Sequence, residues 1–294
     1  MNPDPSLYLR VSLLIAAAGA CVADLELLTL RKDIRSGMLS YGSFEHGSTA
    51  QNSRREILRI NLNRFNYPIT LLAICLQLLS SLLIGVSAFK GETSLTGLGI
   101  FVACGLLLRA RGGLGNNGAD EMIILIMVAG LLVRLFDTAN CALIVLVFLS
   151  AQLSLSYLTS GLVKVCVLHW RDGTSIVNIM GTETFGNGRL HAVLRSSPLS
   201  AAFVSSVLIF GELFGSFAPW LPRPFAISLL FCSFSFHLAA AVVMGLNNFV
   251  PAFVATYPAA LYTSQILYTH HGWHTAGLSR LAALSWSRGS VQRG

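Results

Sequence analysis

Charged residues are scarce in this sequence. Asp, Glu, Lys and Arg make up 11% of the 294 residues, whereas a typical soluble domain has about 25%. Hydrophobic residues make up 54%, and the mean hydropathy is +0.66. So little charge does not suit the surface of an ordinary soluble domain. Composition therefore predicts an integral membrane protein.

Paired cysteines and metal-binding patterns are also lacking. The six cysteines each lie in or beside an apolar run, and no two form a CxxC pair: Cys21, Cys75, Cys104, Cys141, Cys166 and Cys232. We predict that they are buried small hydrophobic residues. The HHGWH segment at 270–274 has histidines four residues apart but no acidic third ligand nearby, and the GGLG segment at 112–115 lacks the strand and lysine of a phosphate loop. No metal site is predicted.

The net charge is +7, and the basic residues lie mostly between the apolar runs. The densest basic segment is 31–66, which the positive-inside tendency places on the cytoplasmic side. Basic residues beside apolar runs suit anionic membrane lipid as a partner, and nucleic acid explains them less well.

Eight apolar runs are long enough to predict helices: 7–30, 67–89, 95–108, 122–135, 139–167, 199–220, 225–246 and 249–268. They predict an all-α fold, a polytopic transmembrane bundle of about seven to nine helices. The bundle would occupy residues 1–270, with a connecting loop at 168–198, and a basic tail would follow at 271–294. The first run resembles a retained helix and not a signal peptide. The short run 95–108 and the proline-containing run 249–268 are the candidates for a segment that does not cross.

One segment combines polar side chains with the end of an apolar run. Tyr157, Gly161 and Lys164 are spaced to lie on one helical face and predict a small polar pocket. Desolvation there would favour the neutral amine of Lys164, which is the form a general base needs. The alternative is a lysine that snorkels to the interface beside Trp170.

Two further polar residues lie within apolar runs. His237 can hydrogen-bond or accept a proton, or it can be a structural histidine satisfied by a neighbouring helix. Glu212 is expected to be protonated or paired, with Lys164 or Arg10 as partner, and a structural pair is as plausible as a catalytic one. We expect Asp120 and Glu121 to stabilise a helix N-terminus.

The spacing of these motifs resembles a known family. The segments that carry the resemblance are Tyr157, Gly161, Lys164, Trp170 and Gly173, then Phe236-His237, Met244-Gly245 and Phe249, with NNGADEM at 116–122 and Arg10. They are similar to the membrane domain of the vitamin K-dependent gamma-glutamyl carboxylase. That domain is shared with bacterial proteins of the HTTM class, which include the sporulation-delaying-protein B type.

The resemblance implies specific roles. Lys164 would be the base toward a reduced quinone cofactor, and His237 would be a second catalytic residue. Tyr157, Glu212 and Trp170 would surround the cofactor. A second active-site histidine of the eukaryotic enzyme would fall near Gly118, where this chain has none. Only residues 269–294 follow the last predicted helix, so we expect no propeptide-binding domain.

Two functional hypotheses follow. In the first, the protein is an enzyme of the bacterial cytoplasmic membrane that modifies or matures a secreted peptide. In the second, it is a non-catalytic scaffold, carrier or subunit that works with companion membrane proteins. Convergence of Lys164, Tyr157, His237 and Glu212 on one cavity would favour the enzyme.

Overall fold

The computed structural model describes residues 3–32, 53–110 and 117–270, and every regular element in these ranges is a helix. The predicted all-α class is confirmed. The α-helices are α1 (Pro5–Thr29), α2 (Ser53–Phe89), α3 (Leu95–Ala110), α4 (Gly118–Phe136), α5 (Ala139–Cys166), α6 (Leu168–Arg171), α7 (Thr174–Met180), α8 (Gly188–Ser196), α9 (Pro198–Gly215), α10 (Arg223–Met244), α11 (Phe249–Val254) and α12 (Tyr257–His270). The GGLG segment, the basic tail and all of the histidine-rich segment except His270 lie outside the described ranges.

Within the described ranges, five helical segments are long and apolar enough to cross a membrane: α1, residues 67–89 of α2, most of α5, α9 with the turn after it, and α10. Their outer surface carries large apolar side chains such as Leu79, Phe203 and Val242, which are 62%, 69% and 78% exposed. A soluble surface of this kind would aggregate. These helices indicate an integral membrane protein. Length and composition identify five candidate spans among the described residues, so the predicted count of seven to nine helices is not confirmed.

A tight helical hairpin joins α4 to α5 at Asp137, in the short interruption between the predicted runs 122–135 and 139–167. The backbone N–H of Asp120 donates to the Asn117 side chain at 2.9 Å, so α4 begins with a capped turn that also contains Glu121. The helix ends at Asp137, which has a left-handed φ of 45°. Thr138 then caps α5 at once. The expected position of Asp120 and Glu121 in the first turn of a helix is confirmed.

The last apolar run is interrupted. The helix breaks between Val254 and Tyr257, so the predicted single segment 249–268 becomes the short α11 and α12. Pro251 of α11 lies against α1, where a Cβ on Gly19 would come within 2.5 Å of its ring. A side chain at position 19 would therefore separate α11 from α1.

Buried apolar side chains from eight of the α-helices form the main core; examples are Leu13, Phe101, Met127, Leu149 and Ala260. A smaller cluster contains Ile176, Met180, Leu194 and Ala201. This cluster attaches the segment predicted as a loop at 168–198, which forms α6, α7 and α8, to the start of α9.

The prediction that all six cysteines are buried is wrong. Cys104 is buried, whereas Cys166 and Cys232 are exposed and the other three are intermediate. An apolar run has a lipid-facing side as well as a core-facing side, and hydropathy does not distinguish them.

Candidate functional site

Lys164 makes three hydrogen bonds near the end of α5. Its Nζ donates to Glu212 Oε1 at 2.8 Å, to Glu212 Oε2 at 2.7 Å and to Ser160 Oγ at 2.6 Å. An ammonium group has three N–H donors, so each finds an acceptor. The Lys164 and Glu212 side chains are 16% and 7% exposed. This ion pair is therefore mostly removed from solvent.

A close helix contact brings the two charged residues together. A Cβ at Gly161 would lie 2.8 Å from the Leu213 side chain and 3.2 Å from the Leu213 backbone nitrogen. The absence of a side chain lets α5 approach α9 one turn before Lys164 and next to Glu212. The sequence predicts Gly161 as a gap in a polar pocket, but the structure shows it as a packing contact.

Lys164 of the ion pair lines an open cavity of about 410 Å³, together with Thr159, Ser160, Val163 and Trp170. The cavity opens at the protein surface, where Val163 is 61% exposed. The Trp170 ring centroid lies 5.2 Å from Lys164 Nζ, within cation–π range.

The turn after α6 positions Trp170. Ser205 of α9 donates a hydrogen bond to the Trp170 carbonyl. The backbone N–H of Thr174 donates to Asp172 Oδ1 at 2.8 Å. Hydrogen bonds from this N–H and from the Thr174 hydroxyl lower the pKa of the exposed Asp172 carboxyl. Gly173 lies between them with φ +84°. The turn thus returns the chain onto α9 beside the cavity.

His237 lies in a second polar pair. Its Nε2 shares a hydrogen bond of 2.9 Å with the Tyr157 hydroxyl, and both side chains are 3% exposed. Phe253 stacks on both rings, with centroids 4.3 Å from His237 and 5.3 Å from Tyr157. Tyr257 places a buried hydroxyl beside that of Tyr157 without completing a hydrogen bond among the described residues. The histidine is enclosed and does not line the cavity.

The structure places four of the five predicted site residues in two adjacent pairs, Lys164 with Glu212 and Tyr157 with His237. The fifth, Trp170, lies beside Lys164. Lys164 and Trp170 line the cavity, and Glu212 reaches it only as the ion-pair partner of Lys164. Tyr157 and His237 form the enclosed pair. Tyr157 is close enough to Glu212 for the two to interact electrostatically. Arg10, the alternative partner predicted for Glu212, instead donates to the Gly91 carbonyl on another side of the bundle.

Three contributing residues are absent from the sequence-based prediction. Ser160 precedes Lys164 by four residues, so helical spacing alone is sufficient to find it. Phe253 and Tyr257 lie on α11 and α12, and nothing in the local sequence pairs them with His237.

Replacing Tyr157 with Phe is expected to lower the free energy of unfolding by about 1–3 kcal/mol, because a buried histidine nitrogen loses its partner. The apparent melting temperature of the purified protein in detergent measures this. Tyr268→Phe is the matched control, since the exposed Tyr268 hydroxyl donates to the Trp220 carbonyl at 3.0 Å. Equal melting temperatures for the two variants would contradict the importance of the buried pair.

The cavity presents the Lys164 amine and the Trp170 indole, and the Glu212 carboxylate is hydrogen-bonded to that amine without being part of the cavity lining. Among the described residues, no group of three or more His, Cys, Asp or Glu side chains is placed to hold a metal ion. Comparisons of the chain with protein-family models, curated proteins and solved structures find no match.

Proposed function

We propose that this protein is a carboxylase-like enzyme of the HTTM class that modifies or matures a secreted peptide at the bacterial cytoplasmic membrane. One observation carries the proposal: a lysine–glutamate pair lies at the edge of an open cavity within a membrane-spanning bundle. A buried ionisable pair beside a cavity is a frequent feature of functional sites in membranes. The peptide substrate itself is inferred from the resemblance of the sequence motifs.

Lys164 becomes a base only when its proton moves away. In a low-dielectric site, transfer of that proton to Glu212 yields a neutral amine beside a neutral carboxylic acid, without leaving an isolated charge. The amine then accepts a proton from a substrate group in the cavity, and Glu212 passes its proton to the product, which restores the ammonium–carboxylate pair. Ser160 keeps the amine oriented throughout this exchange.

The cavity also fits the cofactor that the resemblance implies. The Trp170 indole offers a face for an aromatic ring, and Ser160 and Thr159 place hydroxyl groups on the cavity wall. A reduced quinone bound there would supply electrons. The enclosed pair of Tyr157 and His237 supports the wall behind the ion pair and has a positioning role.

The finer topology is part of the same proposal. The α3 and α4 helices would cross the membrane alongside the five long apolar segments, which gives seven crossings and lies within the predicted range. The α12 helix, with 14 residues, would be the segment that does not cross. The apolar outer faces of α9 and α10 would contact lipid and companion membrane proteins.

Lys164→Ala is expected to abolish modification of the peptide while the protein remains inserted in the membrane. Mass spectrometry of the secreted peptides from cells with and without each variant measures the reaction and identifies the substrate. Lys90→Ala is the control, since Lys90 is an exposed lysine at the end of α2. An unchanged peptide profile with normal expression of Lys164→Ala would exclude the base role.

A non-catalytic scaffold is the second candidate, and the saturation of Lys164 favours it. All three ammonium N–H groups already have acceptors in the chain, and His237 is enclosed. In that case the pair is structural. A chain carrying both Lys164→Met and Glu212→Leu would then retain its cellular function.

A further inference from the structure

Asp24 is a buried carboxyl group inside the membrane-spanning helix α1. Its side chain is 2% exposed, and its Oδ2 has no hydrogen-bond partner among the described residues. No ion pair in the described ranges includes it. A bare carboxylate in this position costs several kcal/mol, so the group takes up a proton or a cation.

The register of α1 against α2 places Gln77 opposite Asp24. Leu27 and Leu28 of α1 pack against the cluster that contains Ala73 and Ile74 of α2. In the opposite direction along α1, Cys21 lies within hydrogen-bonding reach of Ser81. The two helices are therefore antiparallel here. Asp24 lies between Cys21 and Leu27 on α1, and the residue at the same level of α2 is Gln77.

Gln77 presents a second acceptor that lacks a donor. Its Oε1 is buried and has no hydrogen-bond partner in the described part of the chain. Two such acceptors at one level of the same helix interface fit a small positive ion between them. One proton on Asp24 would satisfy both oxygens, because the resulting O–H donates to the amide oxygen. A sodium ion would satisfy them by coordination.

The surroundings of Asp24 include another acid and one cation. Asp120 of α4 interacts with it electrostatically, as do the thiols of Cys21 and Cys104. Arg109 of α3 interacts with Asp120, but its Nη2 is buried without a hydrogen bond to any described residue. Glu121 adds a further negative charge beside Asp120. The local environment is therefore rich in acceptors.

We propose that Asp24 and Gln77 form a binding site for one small monovalent cation, a proton or Na⁺, between α1 and α2. The site is separate from the ion pair of Lys164 and gives the bundle an ion-dependent element of its own. Its residues come from α1 and from α2, which begins at Ser53 within the basic segment 31–66.

Infrared difference spectroscopy tests the proton form. The full-length protein in detergent and sodium-free choline chloride is expected to show a carboxylic-acid C=O band at neutral pH. The band should disappear in Asp24→Asn and persist in Glu26→Gln, which removes an exposed carboxyl from the same helix. Asp24→Asn is nearly isosteric, and circular dichroism confirms that it folds.

Replacing choline with sodium tests the second source. If Na⁺ occupies the site, the apparent melting temperature of the unmodified protein and of Glu26→Gln rises, and that of Asp24→Asn and Gln77→Leu does not. The band at neutral pH identifies a proton, and the sodium-dependent rise identifies Na⁺. The absence of both effects in the folded protein would overturn the proposal and leave Asp24 as an ionised group with a partner elsewhere in the chain.

Discussion

Glu212→Leu is expected to lower the free energy of unfolding by about 3–5 kcal/mol, because it leaves the Lys164 ammonium mostly buried without its counter-ion. Lys164 is 16% exposed, so partial access through the cavity places the effect toward the lower end. Ser160 alone cannot compensate a full charge. Denaturant unfolding in detergent, followed by circular dichroism, measures the change.

A second substitution is expected to reverse most of that loss. In a chain that carries Lys164→Met with Glu212→Leu, no buried charge remains, and apolar replacements of an ion pair are often neutral or stabilising. Under the enzyme hypothesis, peptide modification stays abolished although stability returns. A double variant as unstable as Glu212→Leu alone would show that the pair contributes more than mutual charge compensation.

Gly173→Ala is expected to destabilise the protein by about 2–6 kcal/mol. The left-handed φ of +84° at this position is unfavourable for any residue with a Cβ. The added carbon would also lie 2.4 Å from the Ala201 carbonyl carbon and 2.5 Å from the Ala202 nitrogen, which forces the turn away from α9. The apparent melting temperature in detergent reports the loss.

Two companion variants make this prediction specific. Gly211→Ala is the control, since a Cβ there meets nothing within 4 Å and alanine favours the helix by up to about 1 kcal/mol. Ala201→Gly should not rescue Gly173→Ala, because the closest contacts involve backbone atoms. Normal stability of Gly173→Ala would mean that the turn can leave α9 at little cost.

The individual site residues were accessible from the sequence because polar groups are conspicuous in apolar helices. Lys164, Glu212 and His237 each stand out against their neighbours, and the cost of burying them requires a partner. The identity of the partner was not accessible. Glu212 had two candidates, and only the approach of α5 to α9 at Gly161 selected Lys164 over Arg10.

Local signals also predicted some boundaries and missed others. The hairpin at Asp137 follows from one interruption between two apolar runs, and the structure has it. The apolar run 225–246 predicts the end of α10 at residue 246, but Gly245 with φ +73° already ends the helix after Met244. The interruption after Val254 depends on the packing of α11 against α1.

The sequence by itself determined that the chain is helical and that its long helices are apolar enough for a bilayer, because length and hydropathy are local properties. Only the tertiary structure decided which polar groups meet. The Lys164–Glu212 pair, the Tyr157–His237 pair and the facing positions of Asp24 and Gln77 each bring together segments that are distant in sequence. Such contacts depend on helix register and on the few positions where a missing side chain allows two backbones to approach.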